Sequence, residues 1–156
     1  MAGLKDEGGT SMTHEIDAKP PIWFWIVSGL AFVWNALGVM AFVAQITMSD
    51  EAMAALPADQ QAAYAALPSW YMIIFAIAVF AGTLGCVALL LRKKWATALL
   101  ALSFAAVMVQ QAYFWLLTDI GSKQHGGQLA MTIAIPVVAL LLVLLARSAS
   151  AKGWLR

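Results

Sequence analysis

Four long stretches without a charged side chain decide what this sequence can fold into. Ile22–Ile46, Trp70–Leu91, Trp95–Leu117 and Leu129–Ala146 run for 25, 22, 23 and 18 residues with no Asp, Glu, Lys, Arg or His. A helix rises ~1.5 Å per residue, so about 20 apolar residues cross a ~30 Å hydrocarbon core. Strands of this length would leave backbone groups unpaired in lipid, so helices are the expected form. A water-soluble bundle would show a polar face every 3.6 residues, and these runs have no charged face. Composition agrees: 63% of residues are hydrophobic and 11% charged, against about 25% charged in a soluble domain. The expected fold is all-α, an integral membrane four-helix bundle.

The first run is too long for the 7–15-residue apolar region of a signal peptide, and no small-x-small cleavage site follows it. It reads as a retained helix. An even number of spans puts both termini and the middle connector on one side. Lys5, Lys19, Arg92, Lys93, Lys94, Arg147, Lys152 and Arg156 fall there, and only Lys123 falls on the other. The positive-inside rule then predicts both termini in the cytoplasm, an N-in/C-in topology. Trp23, Trp25 and Trp95 sit at the inner boundary, and Trp70, Tyr71, Tyr113 and Trp115 at the outer one, where aromatic rings anchor at headgroup level.

Residues 1–20 read as a disordered cytoplasmic N-terminus, 21–147 as the transmembrane domain and 148–156 as a cytoplasmic tail. In the outer loop 47–69, Ser49 suits the cap of a short helix through Leu56, and Pro57 the first turn of another through Ala66. The Arg92-Lys93-Lys94 connector is short enough to make spans two and three antiparallel neighbours. Segment 118–128, with Gly121, Gly126 and Gly127, reads as a flexible turn.

The ionisable inventory narrows the chemistry. A net charge of +1 gives no electrostatic case for nucleic-acid binding. Cys86 is the single cysteine, so no disulfide or CxxC motif exists. His14 and His125 lie outside the spans, which removes the usual haem ligands. Ser28 and Ser103 have no base beside them in sequence, and no carboxylate lies at depth for hydrolysis or proton coupling. No enzyme, cofactor or metal site is expected.

Neutral polar and small residues remain. Ser28, Ala31, Asn35, Gly38 and Gln45 fall along one face of span one. Ser103, Ala106, Gln110 and Tyr113 do so in span three. Ala78, Gly82 and Cys86, flanked by Ala81 and Gly85, do so in span two. Small residues let membrane helices approach closely, so Gly38, Gly82 and Gly85 read as packing positions. Pro136 in span four cannot donate to the carbonyl of Thr132. Two readings of the polar residues stand side by side. Asn35, Gln45, Gln110, Gln111 and Thr132 line a neutral, outward-facing pocket, or they only join helices, with Gln110 serving the carbonyl that Pro136 releases.

Several segments between Trp23 and Leu117 resemble those of small bacterial four-helix membrane proteins labelled "sugar transporter". They are Gly29…Trp34-Asn35…Gly38, then Met53, Pro57, Tyr64 and Pro68…Trp70, then Gly82…Gly85, Leu89 to Ala96 through Arg92-Lys93-Lys94-Trp95, and Ser103. The resemblance implies a cytoplasmic-membrane location and draws attention to Asn35. Relatives carry an acid-aromatic pair where this chain has Ala41-Phe42, so the resemblance implies no proton coupling here. The expected function is permeation of a small neutral polar solute, sugar-like, by a homo-oligomer among membrane lipids. The alternative is a non-catalytic accessory subunit of a larger membrane complex.

Overall fold

The computed structural model describes residues 19–117 and 126–156. The expected N-terminal disorder falls outside these residues except at its last two positions, as does most of the expected glycine turn. Six helices follow in order: α1 (Ile22–Ile46), α2 (Asp50–Ala54), α3 (Ala58–Ala65), α4 (Ser69–Leu90), α5 (Ala96–Leu116) and α6 (Gly127–Ala151). No strand occurs among the described residues. α1, α4, α5 and α6 are each long and apolar enough to cross a membrane. α6 outruns the 18-residue apolar stretch at both ends. The apolar run marks what hydrocarbon tolerates, whereas the helix continues through Arg147 and Ser148 because those residues are good enough helix formers.

Short-range chemistry sets most boundaries. Ser49 Oγ accepts from the amide of Ala52 at 3.2 Å and starts α2, as an N-cap serine should. α2 and α3 are shorter than expected and end at Ala54 and Ala65. Pro57 sits just before α3, extended at ψ 146°, rather than inside its first turn. Its fixed φ suits either place. Gln61 Nε2 joins the two short helices by donating to the carbonyls of Ala54 and Leu56.

Both helix ends at the basic side close in the same way. At the end of α6, Trp154 N–H reaches Ala149 O and Gly153 N–H reaches Ser150 O, with Gly153 at φ 70°. At the end of α4, Lys93 N–H reaches Ala88 O and Arg92 N–H reaches Leu89 O, with Arg92 at φ 56°. These are paired Schellman motifs, the second with a side chain in the left-handed position that glycine usually fills. The two turns are tied together. Arg92 Nε donates to Trp154 O at 2.7 Å, Arg156 N–H donates to Arg92 O, and Lys94 N–H donates to Arg156 O at 2.9 Å. The segment read as a tail is therefore docked: Leu155 is buried, and Trp154 meets the rings of Trp23 and Phe24 edge-on at 5.8 and 5.7 Å.

The extensive helix contacts pair α4 with α5, α1 with α4, and α5 with α6. The four long helices thus follow the order α1–α4–α5–α6, and the short connector makes α4 and α5 neighbours as expected. At the basic end all four converge on one core that includes Phe24, Leu89, Leu100, Leu142 and Ala146. Gly85 permits this: a Cβ there would sit 2.7 Å from Leu100 Cγ. Toward the other end, the loop end, α1 leans on α4 through Phe42, which meets Phe75 and Phe80 at 5.4 and 5.8 Å. Trp70, Tyr71, Tyr113 and Phe114 form an aromatic knot there, and Tyr113 Oη donates to Ala66 O at 3.1 Å. Large apolar side chains such as Leu30, Met40, Ile73 and Leu141 point outward and are more than half exposed, an arrangement that lipid as solvent favours and water does not.

Candidate functional site

Because α1 and α6 stand at opposite ends of the helix order, they separate where the core ends. A cavity of ≈410 Å³ opens between them, with α4 and α5 as its back wall. That volume lies within the range of about 300–1,000 Å³ typical of small-molecule sites.

Asn35, near the middle of α1, lines the cavity and holds its base together. Its Nδ2 donates to Ala31 O at 2.9 Å and to Cys86 Sγ at 3.4 Å. Its Oδ1 lies over Gly82, where a Cβ would overlap it and would also come within 2.9 Å of Ser103 Oγ. Gly82 is thus the residue that lets α1 and α5 meet across α4. Ser103 Oγ is buried and donates to Ala78 O at 2.6 Å. No donor among the described residues bonds Asn35 Oδ1, so this oxygen is an acceptor beside the cavity.

The second polar group lies higher, between α5 and α6. Gln111 Nε2 donates at 2.8 Å to Thr132 O, the carbonyl that Pro136 cannot serve. One of the two readings of the sequence gave that bond to Gln110, and the structure gives it to the adjacent residue. One step along a helix turns a side chain by 100°, so only one of two neighbours can face α6 squarely. Gln111 Oε1 is buried and has no hydrogen-bond partner among the described residues. Thr132 Oγ1 donates to Gln128 O at 2.9 Å, within its own helix. Gln110 is half-buried and lines the same cavity.

Four of the five expected pocket residues, Asn35, Gln110, Gln111 and Thr132, therefore line one cavity. Gln45 does not: the α1 wall ends at Ala41, and Gln45 lies a full turn beyond it. Gly38 lines the cavity against Val79, while Gly82 and Gly85 pack helices as described. Trp34, Tyr71, Phe75, Phe114 and Ser103 also line the space. Sequence reasoning gave Tyr71 an anchoring role and Ser103 a packing one. The heptad step from Ser103 to Gln110, which keeps both on one face, was the available signal. Ala41 lines the cavity as well.

The chemistry on offer is hydrogen bonding by neutral amides and hydroxyls inside an aromatic and aliphatic wall. Among the described residues no three His, Cys, Asp or Glu side chains gather as a metal site would require. Compared with family models, curated proteins and solved structures, the chain finds no match in any of the three.

Proposed function

We propose that the chain is a multi-spanning membrane protein that binds a small, neutral, amphipathic molecule between α1 and α6, as the binding step of a permeation function. The observation that carries this reading is the cavity lining, in which the amide residues Asn35, Gln110 and Gln111 are set into an aromatic and aliphatic wall. A few neutral polar groups in an apolar wall suit a ligand with one or two hydrogen-bonding groups and an apolar body. A sugar is a poorer fit, because each ring hydroxyl left unpaired in such a wall costs about 1–3 kcal/mol. The cavity narrows into the sealed core at the basic end, so passage through the protein would require that core to open. The reading includes both termini in the cytoplasm, on the basic-residue argument, and no enzymatic step. The resemblance to the small four-helix proteins belongs to the same proposal.

Thermal unfolding in lipid nanodiscs tests it. Monodecanoylglycerol, a neutral diol with an apolar tail, should raise the melting temperature of the wild type, and glucose should not. Asn35→Leu should abolish the shift. An equal shift in wild type and Asn35→Leu overturns the site assignment.

A second reading is favoured by the slight contact between α1 and α6. The gap would also seat a helix of another subunit, which makes the chain an accessory protein of a larger complex. A fixed-ratio polypeptide partner on mild extraction supports that reading and removes the first.

A further inference from the structure

At the basic end, on the flank where α5 begins and α6 ends, lies a second recess of ≈380 Å³ lined by Lys94, Thr97, Arg147, Ser150 and Ala151. Three features point to an anion. The first is charge. Lys94 and Arg147 are exposed, and the Asp and Glu residues among the described ones, Asp50, Glu51 and Asp59, all sit on α2 and α3 at the far end. No carboxylate side chain of the described chain can neutralise these two cations. The second is an orphaned hydroxyl. Thr97 Oγ1 is buried without a hydrogen-bond partner, whereas Thr47, Thr83 and Thr132 each donate to the carbonyl four residues earlier. Thr97 stands in the first turn of α5, and the carbonyl four residues before it, that of Lys93, lies in the connector rather than in a preceding helical turn. The usual local bond is not made, and Thr97 lines the recess with its hydroxyl turned against the protein, where rotation about χ1 presents it to a ligand. The third is a second hydroxyl-bearing residue, Ser150, on the facing helix.

We propose that Lys94, Thr97, Arg147 and Ser150 form a binding site for a phosphate group, carried by an anionic phospholipid or free in solution. Two cations supply the charge and two hydroxyls supply directional donors, the combination that phosphate oxygens accept best. The recess lies at the end of helices long enough to span a bilayer, where headgroups and soluble anions both have access.

The test uses the full chain in a neutral maltoside detergent, with native mass spectrometry against phosphatidylglycerol and phosphatidylcholine and a melting assay against inorganic phosphate. The wild type should retain phosphatidylglycerol over phosphatidylcholine. Thr97→Val keeps shape and charge, and it should weaken binding about tenfold, the value of one charge-assisted hydrogen bond. Arg147→Gln should weaken it at least as much. Lys93→Gln, on the same connector but outside the recess, should change it less than about twofold. A melting shift from inorganic phosphate that Thr97→Val abolishes assigns the source to a free anion. Binding of phosphatidylglycerol without that shift assigns it to lipid. Thr97→Val binding as tightly as wild type, or Lys93→Gln matching Arg147→Gln, reduces the effect to a diffuse basic surface and overturns the site. So does failure of the wild type to bind either probe. Melting of each variant in phosphate-free buffer reports whether it folds.

Discussion

Gly82→Ala should destabilise the protein, and removing Asn35 should reverse much of that cost. An added Cβ would overlap Asn35 Oδ1 and stand 2.9 Å from Ser103 Oγ. Asn35 is held by bonds to Ala31 O and Cys86 Sγ, and Ser103 by its bond to Ala78 O, so neither can retreat without losing a hydrogen bond. Overpacking of this kind costs about 1–3 kcal/mol. Against it stands the higher helix propensity of alanine, about 1 kcal/mol in its favour. The net expectation is a loss of about 0–2 kcal/mol in the wild-type background. In Asn35→Ala the main obstacle is gone, and Gly82→Ala should become neutral or stabilising. Full relief should need Ser103→Ala as well, because its oxygen is the second obstacle. Reversible unfolding of wild type, both single variants and the double variant in mixed micelles measures the coupling, expected at about 1–3 kcal/mol. Additivity within about 0.5 kcal/mol would refute the contact on which the cavity base depends.

Other substitutions test separate parts of the account. Ser28 is fully buried and its hydroxyl has no partner, so Ser28→Ala should leave stability unchanged or raise it by about 1 kcal/mol in the same unfolding assay. Arg92→Gly relieves left-handed backbone strain worth about 1 kcal/mol but loses the charged bond to Trp154 O, worth about 1.5–3; the melting temperature should fall. Trp154→Ala should cost about 3 kcal/mol and expose the basic end to proteolysis, followed by limited digestion. Gln111→Leu loses its bond to Thr132 O, ~0.6–1.7 kcal/mol in a membrane, and also removes a buried unpaired oxygen of similar cost. Its stability should therefore change little while monodecanoylglycerol binding falls.

The helical class and the four long apolar helices were legible because absence of charge over 18 or more residues is a strong, one-dimensional signal. The pairing of α4 with α5 was equally legible from the three residues, Arg92-Lys93-Lys94, between two apolar runs. The α2 cap at Ser49 followed from local chemistry alone. What the sequence hid depends on rotation and distance. Gln110 and Gln111 are adjacent in sequence and similar in chemistry, and only the facing direction of α5 decides which one bonds Thr132 O. Gln45 has the right residue type on nearly the right face, but it lies a full turn beyond Ala41, where the α1 wall of the cavity ends. The docking of Trp154, Leu155 and Arg156 was hidden for another reason: beside the Arg92 side-chain bond and the Trp154 ring contacts it uses backbone bonds to Arg92 and Lys94, which leave no mark in residue type. Gly153 followed by Trp154 was the one readable hint, a helix stop and then an apolar contact.

The central claim is that the space between α1 and α6 holds a small neutral molecule. Native mass spectrometry of the protein, carried from its own membrane in polymer nanodiscs, tests this most directly. The account predicts an uncharged adduct of small-molecule mass on the wild type that is lost from Asn35→Leu and kept by the distant control Gln45→Leu. A complex with another polypeptide at fixed ratio, with no small-molecule adduct, would contradict it.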